Sequence, residues 1–273
     1  MTETAAQDLI VIGGGISGLV TAFYRARAGD RVTLIETAPT VGGAITTWTE
    51  GDWIFEQGPN TVLENNPRVG ELIEAAGLES EKLVAEPAAK KRYVWKDETL
   101  VPLPGGPGGF LKTPLFSGGA KLRLLKEPWI KRAPAGEEET VAQFVRRRLG
   151  QEMLDYAVGP FVSGVYAGDP ARLSMRWAVA KLYALEQQHG SLIRGAFKRK
   201  KGPAPGGKMF TFRGGLAALP RRLAEQLDDV RVNTRATSVE RDGNAFVVQT
   251  SNGPLRARRV VAAVPADVLA NLL

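Results

Sequence analysis

The stretch DLIVIGGGISGLVTAFYRARAGDRVTLIE, Asp8 to Glu36, limits what this chain can fold into more than any other. Leu9 to Ile12 form an apolar run that ends on glycines, and Gly13, Gly15 and Gly18 have the G-x-G-x-x-G spacing. Ile16, Leu19, Val20 and Phe23 then recur at i, i+3, i+4 and i+7, the stripe of one helix face. Gly29-Asp30 closes that helix, and Arg31 to Glu36 reads as a second strand ending on an acid. Together they make a complete βαβ unit and predict an α/β fold.

Each part of the unit has a physical use. Gly13 permits the tight turn out of the strand, and Gly15 lets backbone amides approach a pyrophosphate with no Cβ in the way. Gly18 lets helix and strand pack closely. The helix N-terminus, at Ile16 and Ser17, supplies partial positive charge for phosphates. Glu36 is placed to accept hydrogen bonds from an adenosine ribose, and its charge argues against a 2′-phosphate. The bland alternative, a glycine turn with no ligand, leaves the register of strand, helix, strand and acid unexplained.

Val41-Gly42-Gly43-Ala44, with Thr47 beyond, follows the acid. Many flavoproteins of the superfamily that includes amine oxidases carry a second glycine pair here, reading R-x-G-G-R, and this resemblance implies FAD. Thr40 and Ala44 occupy both arginine positions, so arginine contacts to phosphate are absent or come from elsewhere. A simple turn is the competing account of Gly42-Gly43.

Composition narrows the rest. The 273 residues suggest about two domains. The chain has no cysteine and a single histidine, His189, read as a surface or helix-end residue. Disulfides, thiolate chemistry and multi-histidine or cysteine metal sites are thereby excluded. No stretch approaches about 18 uninterrupted apolar residues, and Met1 to Asp8 lacks the pattern of a signal peptide, which favours a cytosolic face. Lys90 to Lys208 holds 22 Lys and Arg against 10 Asp and Glu, a local +12 within a net +7. Such a segment suits anionic lipid, an anionic substrate, nucleic acid, or simply a solvated face. No nucleic-acid recognition motif accompanies it, so nucleic acid is not expected.

Along the chain, Asn66 is an N-cap with Pro67 at the first helical position, a Val69, Leu72, Ile73, Ala76 stripe, and Gly77 as the stop. Residues 92–103 read as a hairpin around Lys96-Asp97-Glu98, and residues 104–119, rich in Gly and Pro, as a loop or domain boundary. Thr140 and Gln143 match a capping box ahead of Val141, Phe144, Val145 and Leu149, ended by Gly150. A second helix is expected from Ser174 to about Gln188, and residues 198–207 as an exposed basic loop. Leu216, Leu219, Leu223 and Leu227 make a helix stripe, and Val230 to Val232 a short strand. Residues 246–250 and 256–264 read as strands, with Val260 to Pro265 buried.

FVSGVYAGDPARLSM (Phe161 to Met175) and LEQQHGSLIRG (Leu185 to Gly195) carry a more specific likeness, as do FEQGPNT (Phe55 to Thr61), AKKRYVW (Ala89 to Trp95) and FRGGLAALP (Phe212 to Pro220). Over essentially its whole length the chain resembles the protoporphyrinogen oxidase family. The resemblance implies FAD-dependent oxidation of a porphyrinogen to a porphyrin in haem and chlorophyll synthesis, in three two-electron steps with dioxygen yielding hydrogen peroxide. It carries over cofactor contacts at Gly13, Gly15, Gly18, Glu36, Gly42 and Gly43, and at Gly58, Pro59 and Asn60 near the isoalloxazine ring. The backbone of Ala236 would pair with adenine. Arg92 would grip a propionate, or else end the basic run as a solvated charge. Gly164, Ala167 and Gly168 would line the substrate pocket, or else form a tight turn before Asp169-Pro170. No side chain is assigned as catalytic and none as a metal ligand.

The expected architecture is a Rossmann-like FAD-binding domain with an inserted, mostly helical substrate and membrane domain. Residues 1–88 and 208–273 form the first and 89–207 the second. The resemblance further implies an anionic membrane surface as a partner, a homodimer, and a cytoplasmic location, peripheral on the inner face of the cell membrane. Relatives continue well past Leu273, so a fragment is expected. A coproporphyrinogen III oxidase, a flavin amine oxidase and a non-catalytic FAD- or porphyrin-binding protein are the competing readings.

Overall fold

The computed structural model describes residues 7–86, 91–134, 136–198 and 207–273. The chain divides into two compact units, Met1–Ala85 with Pro205–Leu273, and Glu86–Ala204. The first segment runs β1 (Gln7–Ile12), α1 (Ile16–Arg27), β2 (Val32–Ile35), β3 (Thr47–Glu50), β4 (Trp53–Glu56), β5 (Val62–Glu64), α2 (Pro67–Ala76) and β6 (Lys82–Val84). The second unit holds the hairpin β7 (Tyr93–Lys96) and β8 (Thr99–Pro102) and eight α-helices among its described residues. These are α3 (Pro107–Lys112), α4 (Gly118–Leu125), α5 (Val141–Arg148), α6 (Gln151–Met153), α7 (Gly159–Tyr166), α8 (Met175–Ala178), α9 (Ala180–His189) and α10 (Leu192–Lys198). The chain then returns to the first unit with β9 (Lys208–Phe212), α11 (Ala218–Ala224), β10 (Asp229–Arg231), β11 (Ala236–Asp242), β12 (Ala245–Thr250), β13 (Leu255–Ala262) and α12 (Ala266–Ala270).

The first unit is built on a six-stranded sheet ordered β10-β2-β1-β13-β12-β11, parallel from β10 to β13, with β12 and β11 antiparallel. β1 explains why its sequence is apolar without alternation. Leu9 and Val11 pack with Leu19, Ala22 and Phe23 of α1, while Ile10 and Ile12 pack on the other face with Val248, Ala257 and Leu272. The strand is buried on both faces from Leu9 to Ile12, so every residue of that run is apolar. The buried hydroxyl of Thr33 in β2 is satisfied by donating to Asp229 Oδ2 at 2.7 Å.

Three carboxylates of this unit set its acid stability; at Asp30 burial is outweighed by bonds from the Arg25 and Arg259 guanidiniums, which lower its pKa. The Arg31 amide, at 3.1 Å, and then its guanidinium hold Asp8 below the usual carboxylate range. The Arg231 guanidinium does the same for Asp229, helped by Thr33 and opposed by burial. A folded-state pKa below the unfolded value contributes stability above that value, near 4, and loses it as pH falls through the folded pKa. Denaturant-measured stability of this unit is therefore expected to be flat from neutral to about pH 5 and to decline below about pH 4. A decline already complete at pH 5 would contradict the assignment.

In the second unit the capping box forms as expected: Gln143 N donates to Thr140 Oγ1 at 3.2 Å, and Thr140 N to Gln143 Oε1 at 2.8 Å. In the first unit, likewise, Asn66 Oδ1 accepts from Arg68 N and Gly77 ends α2 at φ 71°. Residues 104–119 differ from the expected loop. Pro107 takes the first position of α3, and Ser117 caps α4 by accepting from Ala120 N. The glycines are tolerated because Phe110 packs beside the buried Leu115 and Phe116. The single helix expected from Ser174 is two helices, broken at Val179 (φ −126°, ψ 48°). The stripe from Leu216 to Leu227 is helical only over α11, and Val260 to Val264 is half-buried rather than buried. The basic loop at 198–207 lies mostly outside the described residues, as do Ala89 and Lys90 of the AKKRYVW stretch. His189 ends α9. Among the described residues no helix is long and apolar enough to cross a membrane.

Candidate functional site

The glycine turn is made by three separate constraints. Gly13 has φ 107°, a left-handed value that favours glycine, and a Cβ there would lie 2.6 Å from the Ala263 carbonyl oxygen. A Cβ at Gly18 would lie 1.9 Å from the Gly13 oxygen, so α1 rests directly on the strand end. Gly15 differs: its Cβ position meets nothing within 4 Å. It borders a cavity of about 470 Å³ shared with Gly13, Glu36, Gly43 and Ala236.

Glu36 is held rigidly at that cavity. Its Oε2 accepts from Gly14 N at 2.6 Å and its Oε1 from Ala38 N at 2.8 Å. Each carboxylate oxygen keeps a lone pair for a further donor. The second glycine pair sits on the first rather than forming an isolated turn. Gly42 N donates to Gly14 O at 2.8 Å, and a Cβ at Gly43 would come within 3.2 Å of Gly15 Cα.

These features fit the adenosine diphosphate half of FAD. α1 has no side-chain cap and no acidic residue in its first turn, which leaves its leading amides available to a diphosphate. A fixed carboxylate faces the same space, and Val264, Pro265 and Leu272 give it an apolar wall. The remaining expected contacts lie around it. Ile16 is half-buried, Ser17 exposed, Gly18 and Gly42 buried behind the loop, and none of these four lines the cavity. Gly58, Pro59 and Asn60 are exposed and outside its lining. A Cβ at Gly58 would lie 1.9 Å from the Ala44 oxygen, so this glycine serves the close approach of two backbones.

Two motifs carrying the family likeness meet in this unit. Glu56 Oε1 accepts from Leu216 N at 2.7 Å and its Oε2 from Thr47 Oγ1 at 2.7 Å, while Ala217 N donates to Thr47 Oγ1. FEQGPNT and FRGGLAALP are therefore bound through one carboxylate. The sequence reading missed Thr37, Ala44, Thr234 and Arg235 at the cavity. They sit in irregular segments without periodicity, and the glycine spacing alone does not point to them.

In the second unit Arg92 is exposed just ahead of β7, with its carbonyl accepting from Leu103 N. Its side chain pairs with none of the described residues. Gly164 is exposed on α7, and Ala167 ends that helix at φ 47°. A Cβ at Gly168 would lie 2.9 Å from Leu173 Cδ1. Asp169 Oδ1 accepts from Ala171 N at 2.8 Å, so a turn forms at residues 169–171, just after them. A nearby cleft of about 420 Å³ is lined by Arg146, Asp155, Ser163 and Asp169, and by none of the four expected substrate residues. Among the described residues no His, Cys, Asp and Glu group could hold a metal ion.

The second unit also holds a buried ionic cluster. Arg148, Glu127 and Glu186 are fully buried. Arg148 donates from Nε to Glu186 Oε1, from Nη1 to Glu127 Oε1, and to the carbonyls of Glu127, Ile130 and Gly190. Glu127 also accepts from Ser191 Oγ and from the Leu192 and Ile193 amides. Arg147 joins Glu139 to Glu186, and its bond to Glu139 above all raises its already high pKa. Every strong donor and acceptor of the Arg148 knot is matched, as buried charge requires.

The profile of the family described as flavin containing amine oxidoreductase matches residues 16–273. Over 99% of its length the chain is 33% identical to protoporphyrinogen oxidase 1 (chloroplastic) of Arabidopsis thaliana, covering 55% of that protein. It is 31% identical to coproporphyrinogen III oxidase of Bacillus subtilis over 98% of its length, covering 62%. A crystal structure of an Exiguobacterium protein, provisionally assigned as a protoporphyrinogen oxidase, superimposes with a TM-score of 0.77 at 26% identity, covering 98% of this chain and 62% of that one. The chain thus spans about half the length of the curated relatives it matches.

Proposed function

The chain belongs to the flavin containing amine oxidoreductase family, with FAD as cofactor, and from that premise we propose that the protein oxidises protoporphyrinogen IX to protoporphyrin IX in porphyrin biosynthesis. Dioxygen is the proposed electron acceptor. The observation that carries this reading is that likeness to enzymes of that name runs through both units. Bound FAD supplies the redox chemistry, in which the porphyrinogen loses six hydrogens in three two-electron steps while three dioxygen become three hydrogen peroxide.

The chain's own residues hold and orient. Gly13, Gly15, Gly43 and the first turn of α1 at Ile16, Ser17 and Gly18 receive the diphosphate, and Gly42 braces that turn from behind. Glu36 accepts from ribose hydroxyls, and the backbone of Ala236 meets adenine. The loop at Gly58, Pro59 and Asn60 would hold the flavin end of the cofactor. Arg92, exposed and paired with none of the described residues, grips a propionate with two parallel bonds. Gly164, Ala167 and Gly168 bring backbone close to a flat macrocycle.

Coproporphyrinogen III is the second substrate reading, favoured by the Bacillus relative. Porphyrin fluorescence in air, with FAD added and spontaneous oxidation subtracted, separates the two. A flavin-dependent rise, faster with protoporphyrinogen IX, is expected. A faster rise with coproporphyrinogen III would select the second reading, and no rise with either would overturn both.

The second unit's surface supports a peripheral place on the inner face of the cell membrane. Leu111, Leu122, Leu125 and Trp129 are each at least 64% exposed in a basic stretch. Apolar groups beside cations suit shallow insertion among anionic headgroups. Sedimentation with anionic vesicles at low salt is the expected result, and none would refute this placement.

A further inference from the structure

The dinucleotide cavity has one positive side chain that neither motif explains. Among the described residues lining it, Arg235 is the one cation and Glu36 the one anion. The arginine positions flanking the second glycine pair hold Thr40 and Ala44, so a cation reaches this cavity from a different segment. We propose that Arg235 binds the adenosine moiety of FAD, its guanidinium stacking on adenine.

The backbone on either side places it. Asn233 N donates to Ala38 O at 3.0 Å and Thr234 N to Glu36 O at 2.8 Å, so residues 233–235 run beside the carboxylate read as the ribose acceptor. Arg235 follows immediately and precedes Ala236, whose backbone is read as meeting adenine. Its own main chain is fixed in both directions, with Arg235 N donating to Ser251 Oγ at 3.1 Å and Ser251 N to Arg235 O at 2.9 Å. The side chain, in contrast, is exposed and pairs with none of the described acids. A rigid backbone carrying an uncommitted guanidinium loses little freedom when a ligand arrives.

The chemistry of the cavity favours the base over the phosphates. Val264, Pro265 and Leu272 line it with apolar surface, a fit for one face of a purine. Guanidinium is planar and weakly hydrated, so it stacks on an aromatic face where a lysine ammonium does not. The diphosphate already has the uncapped turn of α1. A stacking Arg235 adds affinity that is insensitive to salt, unlike a phosphate contact.

The inference rests on FAD being the cofactor, and the test keeps the two apart. FAD binding is followed by flavin fluorescence, and ADP and adenosine by calorimetry, for the wild-type chain, Arg235→Ala and Arg235→Lys at low and high salt. Arg235→Ala is expected to weaken all three ligands about three- to thirtyfold at either salt, with unchanged melting, and Arg235→Lys to recover only part. Loss for FAD and ADP but not adenosine would make Arg235 a phosphate contact and overturn the stacking assignment. Unchanged affinities in a chain that binds FAD would overturn the inference alone. A wild-type chain binding neither FAD nor ADP would overturn both.

Discussion

Arg148→Ala is expected to cost the second unit about 3–5 kcal/mol, the range for breaking a buried ion pair by removing one partner. The side chain is wholly buried and uses Nε and both Nη groups. Its removal strips the carbonyls of Ile130 and Gly190 of a donor and leaves the Glu127 carboxylate with neutral partners only. Glu186 loses less, because Arg147 Nη1 still donates to it at 2.9 Å. Arg148→Lys keeps the charge but cannot reach two carboxylates and three carbonyls with one ammonium, so it should recover little. The cluster ties the segment before α5 to α5, α9 and the start of α10, so its loss should loosen the unit as a whole. Urea unfolding followed by tryptophan fluorescence checks this. A change below about 1 kcal/mol, the scale of an exposed pair, would mean that the cluster is solvated in solution.

Nothing in the sequence singles out that cluster. Arg148 stands in a run of three arginines that reads as a solvated end of a helix. Glu127 and Glu186 lie 21 and 38 positions from it, and Ser191 lies 64 from Glu127. Charge pairing at such separations has no period, so only the fold brings it together. Local signals fared differently, because they are local physics. The capping box at Thr140 and the Asn66, Pro67 and Gly77 boundaries involve partners within four residues and form as written. The βαβ unit was legible for a related reason, since burial on both faces of β1 leaves a continuous apolar run. At the cavity, the glycines and Glu36 were legible through spacing, whereas Thr234 and Arg235 reach it only because β10 pairs beside β2. The expected loop at 104–119 failed because glycine and proline content marks both turns and helix starts.

Two glycine substitutions in the same turn should separate folding from cofactor binding. Alanine at Gly18 puts a Cβ 1.9 Å from the Gly13 oxygen and 3.3 Å from Ala263 Cβ. The first neighbour is backbone, so α1 must move off the strand end. Alanine would otherwise gain up to about 1 kcal/mol in helix propensity over glycine. Overpacking against backbone outweighs that, at about 1–3 kcal/mol or more. A displaced α1 also carries its leading amides away from the diphosphate. Gly18→Ala is therefore expected to lower the melting temperature by several degrees and FAD affinity by more than about tenfold. Alanine at Gly15 meets no protein atom, and its φ of −69° and ψ of 174° suit any residue. Gly15→Ala should melt like the wild type, yet its methyl projects into the cavity and should weaken FAD by a comparable factor. Thermal melts beside flavin-fluorescence titrations read both effects. A Gly18→Ala chain as stable as wild type would show that α1 does not seat on β1 as described, and a Gly15→Ala chain with undiminished FAD affinity would place the diphosphate elsewhere.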